Sequence, residues 1–136
     1  MDATAMREYC LAKPGAWPDW PWGGGPDAEP GDAASGHEHP VIKVGPEEAG
    51  KIFAFLGTDG VGVKGGATRE VADEWLQRYP GDASVMAYIG RSGWNDLGFS
   101  GSIPDDELED AVDESYRLVV SKLAKRHRPP GWDDSP

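Results

Sequence analysis

The segment Tyr88-Ile89-Gly90-Arg91-Ser92-Gly93-Trp94-Asn95 sets a phenol, a guanidinium, an indole and a side-chain amide within eight residues. Gly90 and Gly93 bracket Arg91-Ser92 as turn residues, so the spacing predicts a tight hairpin whose tip presents these groups with little steric cover. Arginine and tryptophan together stack on planar groups and hold anions. The chemistry is therefore non-covalent binding of an anionic or planar ligand, with Lys43 and Lys64 on neighbouring predicted strands as further positive charges. The competing arrangement turns Trp94 inward and pairs Arg91 with a surface acid.

Other constellations carry less. Gly60-Val61-Gly62-Val63-Lys64-Gly65 matches a dinucleotide-binding glycine pattern. Val61, Val63 and Lys64, however, read as a strand returning from the Gly57 to Gly60 turn, and no repeated β-α-β units follow. His37-Glu38-His39 offers two imidazoles and a carboxylate on one acidic loop, which is a weak metal set because binding must first order that loop. Seven acids between Asp105 and Glu114 share helix faces and complement the positive end of a helix, and a cation-binding surface is the functional alternative. No Ser or Cys has an identifiable base beside it, so the chain is not expected to be an enzyme, and no metal or cofactor is expected.

Three helices would position these groups. Thr4 is the expected cap of the first, where Met6, Tyr9 and Cys10 recur at helical spacing until Lys13-Pro14-Gly15, which turns Cys10 to the core. Thr68 is the expected cap of the second, with Val71, Trp75 and Tyr79 in one row beside Ala72 and Leu76, ended by Pro80-Gly81. Ser102-Ile103-Pro104-Asp105 resembles a capping box for the third, whose Leu108, Val112, Ser115, Tyr116, Val119 and Leu123 continue the pattern towards Pro129-Pro130. Short β-rich runs fall at residues 41–44, 51–56, 61–64, 85–89 and 94–99, with hairpin turns at 57–60 and 90–93. The expected fold is α+β in two layers: an antiparallel sheet of about five or six strands packed against three helices, in the order α-β-β-β-α-β-β-α.

At 136 residues the chain has room for one full-sized core, and one cysteine excludes an internal disulfide. No window is apolar enough to span a membrane and no secretory leader is evident, so a cytoplasmic monomer is expected. The net charge is −11. Five acids lie between Pro18 and Pro40 without a Lys or Arg, and seven open the last helix, so these twelve exceed the net charge and leave the remainder at +1. Residues 14–40 also hold six Pro and six Gly, which is loop chemistry, with Trp17, Trp20 and Trp22 as its anchors on the core. One domain over 1–128 is expected, with a flexible acidic loop at 24–36 and a tail at 129–136.

Met6 to Cys10 with Lys13-Pro14-Gly15-Ala16, Pro21-Trp22-Gly23, Gly50 to Gly57, Tyr79-Pro80-Gly81, Tyr88 to Asn95, Ile103 to Leu108 and Glu114 to Leu123 together resemble the MmcQ/YjbR family of small bacterial proteins. The resemblance implies a CyaY-like fold and a DNA-binding function, which the net charge opposes. It carries over Tyr88, Arg91, Trp94 and Asn95, but not the histidines that many relatives hold in this hairpin, since Ile89 and Gly93 stand there. Residues 24–36 look like an insertion. A small anionic or planar ligand, or a protein, is the alternative partner.

Overall fold

The computed structural model describes residues 1–20 and 39–133. Helix α1 (Ala3–Leu11) starts at Asp2, whose carboxylate accepts the Ala5 N–H at 2.8 Å. Asp2, not Thr4, has the extended backbone that a cap requires, and Thr4 is already helical. Next comes β1 (Ala16–Asp19), which the sequence pattern assigns to the loop because Pro14, Gly15 and Pro18 dominate the local signal. An edge strand tolerates Pro18, since only one side of it needs backbone donors. Strands β2 (Val41–Val44), β3 (Lys51–Leu56) and β4 (Gly60–Lys64) follow, then α2 (Arg69–Arg78), β5 (Ala83–Val85), β6 (Trp94–Gly98) and α3 (Asp105–Val120).

The six strands of the described residues join one antiparallel sheet in the order β1-β2-β3-β4-β6-β5. The α+β architecture and its order are as expected, with β1 added. Helices α1 and α3 cover the inner face, where Met6, Cys10, Ile42, Val44, Phe53, Val63, Leu97, Val112 and Tyr116 are buried. Phe53 meets Tyr116 edge-on at 5.2 Å. Burial pushes the Cys10 thiol up to about 12, so it is a packed apolar group and not a nucleophile.

Three boundaries depart from the pattern. Thr68 does cap α2, but only Ala72 is buried on that helix and Val71 is exposed, because α2 sits at the β5–β6 end of the sheet instead of across it. Ser102 does not cap α3; its N–H and hydroxyl both donate to Asp82, at 2.8 and 2.7 Å, and Pro104 holds the cap position. Helix α3 ends at Val120, short of Leu123, and Arg128 folds back to donate to the carbonyls of Ser121 and Leu123 past its end. Strand β5 stops at Val85. Residues 86–89 leave the sheet, and Gly90–Ser92 form a 3-10 turn closed by Gly93 at φ 102°, a backbone angle that favours glycine.

Candidate functional site

A bulge shapes the outer sheet face, the one turned away from α1 and α3. Ile42 pairs with Ala54 and Lys43 with Ile52, which leaves Phe53 as an extra residue in β3. Phe53 and Ala54 therefore both turn to the core, and Ile52 and Phe55, three apart, both turn outward. Beyond the bulge β3 and β4 part: their ladder runs only from Leu56/Val61 to Ala54/Val63. The buried hydroxyl of Ser115 on α3 closes the gap, accepting the Lys64 N–H at 2.9 Å and donating to the Phe53 carbonyl at 2.6 Å.

This divergence opens a groove of about 510 Å³ lined by both layers. Lys43, Lys51, Lys64 and Lys122 supply four ammonium groups, and Ile52, Phe55, Ile89, Trp94 and Leu118 supply its apolar walls. Trp94 stands edge-on to Phe55 at 5.4 Å. Lys43 is paired with Asp19 at 2.8 Å and lies over the Trp17 ring. Lys51, Lys64 and Lys122 have no ion-pair partner among the described residues.

The groove continues past Phe55. Residues Met86, Ala87, Tyr88 and Ile89 fold back over the sheet and, with Phe55 and Asp96, line a further 370 Å³. Glycine at position 62 leaves room for the Met86 side chain, since a Cβ there would lie 2.8 Å from the Met86 sulfur. Tyr88 adopts φ 66°, which is rare for a bulky residue, and its ring is fully exposed at 104%. Asp59, Asp82 and Asp96 line a third depression of about 430 Å³ that shares Phe55 and Asp96 with its neighbour. The outer face thus runs from lysines through aromatics to aspartates.

The family model described as YjbR matches residues 11–118, most of the chain. The chain belongs to the YjbR family. Among solved structures, the crystal structure of Deinococcus radiodurans protein DR2400, described as a DUF419 domain, is similar with a TM-score of 0.72. At 19% identity over 93% of this chain and 85% of that one, the likeness is one of fold. No curated protein matches.

In this YjbR chain the sheet brings Lys43, Lys64 and Trp94 to one groove and sets Tyr88 at the rim of the next. Arg91 is exposed on the 3-10 turn and lines none of the three depressions. Asn95 points the other way: it is fully buried, its amide donates to the Ala72 carbonyl at 2.9 Å, and its oxygen accepts from Arg69. Arg69 also donates to the Gly90 and Trp94 carbonyls, at 2.8 and 3.1 Å, which ties the turn to α2. The alternation of β6 carries the signal for this, since Asn95 shares its parity with Leu97 and Phe99. Nothing in the local pattern marks Lys51, Lys122, Ser115 or Asp96 for this face, because the bulge and the Gly62–Asp96 pairing are set across the sheet.

The remaining candidates lie elsewhere. Gly60 to Lys64 form strand β4, not a phosphate loop. His39 is hydrogen-bonded to the Thr58 hydroxyl at 3.0 Å, and His37, Glu38 and the 24–36 stretch fall outside the described residues. Among the described residues no cluster of three or more His, Cys, Asp or Glu could hold a metal ion. None of their helices is long and apolar enough to cross a membrane.

Proposed function

We propose that this YjbR chain is a non-enzymatic binding module that lays a single nucleic-acid strand across the outer sheet face. Phosphates lie toward the lysines, and bases lie against Trp94, Phe55 and Tyr88. The carrying observation is the convergence of Lys43, Lys51, Lys64 and Lys122 on one groove with aromatic walls. Ammonium groups bind phosphate as point charges, and aromatic rings stack any base, so the pairing favours a strand with little sequence dependence. Membership of the family supports the non-enzymatic part.

A second reading follows from the volume. About 510 Å³ is within the usual range for a drug-sized ligand, so a free anion with a planar body, such as a mononucleotide, suits the same groove.

Fluorescence anisotropy with a labelled oligothymidylate of about ten nucleotides, in the usual footprint range, tests the proposal. At about 50 mM salt, where phosphate contacts are strongest, the strand should bind, and Lys64→Gln with Lys122→Gln should weaken it at least tenfold. Displacement by an equal concentration of thymidine monophosphate would favour the small-ligand reading. No binding at that salt overturns the strand-binding reading.

A further inference from the structure

Asp96 is a group that a phosphate groove does not need. It stands in the cross-strand row Phe55, Gly62, Asp96, two residues from Trp94 on the same side of the sheet. A Cβ at Gly62 would lie 3.2 Å from Asp96 Oδ1, so the carboxylate reaches over the bare backbone of that glycine toward Phe55. It lines both depressions beyond the lysine groove. It has no ion-pair partner among the described residues, although Lys64, on the same side of the sheet, is uncompensated too. Desolvation by the neighbouring chain holds its pKa above the usual carboxylate value, although the residue itself is exposed. Acceptors held open beside aromatic rings are placed for hydrogen-bond donors on a planar group.

We infer that Asp96, in the depressions adjoining the lysine groove, is the specificity-determining acceptor of this face, taking the N–H donors of a base that lies against Phe55 next to Trp94. This rests on the strand-binding reading. Guanine presents two adjacent donors, N1–H and the N2 amino group, which match the two carboxylate oxygens. Cytosine and adenine present one amino group beside a ring acceptor, and thymine presents one N–H between two carbonyls that repel a carboxylate. The face therefore favours guanine, disfavours thymine and places cytosine and adenine between them.

The test compares the labelled oligothymidylate with the same strand carrying one central guanine, against wild type and Asp96→Asn at about 50 mM salt. A matched pair of hydrogen bonds to a base edge discriminates by roughly fivefold or more, so wild type should bind the guanine strand tighter by at least that factor. Asp96→Asn replaces one acceptor by a donor. It should bring the ratio near one while binding the thymine strand no more weakly, because a repelling charge is gone. Equal affinities in wild type, or an undiminished preference in Asp96→Asn, overturn the role of Asp96 and leave the lysine groove standing. Failure of wild type to bind either strand removes the groove reading and this assignment together.

Discussion

Asn95 and Asp96 are neighbours on β6 with opposite fates. The Asn95 amide joins α2 to the sheet through Ala72 and Arg69, so Asn95→Ala strands a buried carbonyl and an arginine donor. An unsatisfied buried group costs about 1–3 kcal/mol, and urea unfolding should show a loss of that size. Asp96 should behave in reverse. Its folded-state pKa lies above the unfolded value, so in the window between them the folded chain holds more protons, and stability falls as pH rises through that window. Asp96→Asn should therefore raise the thermal midpoint at pH 7, by an amount that shrinks as pH falls toward 4. A variant less stable than wild type at pH 7 would make Asp96 a structural residue. Strand alternation alone separates these two residues. The partner of each does not follow from it, because Arg69 and Phe55 come from distant segments.

At the scale of elements, the site depends on how α3 holds two diverging strands and packs on α1. Ser115 bridges Lys64 and Phe53, so Ser115→Ala leaves a backbone donor and a backbone acceptor unpaired under the groove. It should lower both stability and strand affinity, whereas Ser115→Thr, which keeps the hydroxyl, should retain more of each. On the other side of α3, buried Asp113 pairs with Lys13 and accepts the Tyr9 hydroxyl at 2.7 Å. Asp113→Ala abandons a buried ammonium and should cost about 3–5 kcal/mol in urea unfolding. Lys13→Met with Asp113→Leu should recover most of that, because the desolvation cost of both charges disappears. Helical spacing placed α1, α2 and α3 in the sequence, and hairpin turns placed β3 against β4. The β1 strand, the bulge and the departure of residues 86–89 were not legible, since each is fixed by pairing across the sheet and not by local residue preference.

Across the whole molecule, charge is sorted along α3. Its 16 residues span about 24 Å, with Asp105, Asp106 and Glu107 in the first turn and Lys122 just past the last. Arg78 pairs with Glu107 at the acidic end. Lys122 lines the groove at the other end, and Lys125 and Arg126 are exposed shortly beyond it. The net charge of −11 is therefore compatible with a locally basic groove, because field strength near a ligand depends on neighbouring charges and distant ones are screened within about 8–10 Å. The most direct measurement is the salt dependence of oligothymidylate affinity between about 50 and 200 mM. The three unpaired lysines on three phosphates give a slope of log K against log salt of about −2, and removing Lys64 and Lys122 together should bring it to about −0.7. A slope near zero, or one unchanged in the double variant, would contradict the account.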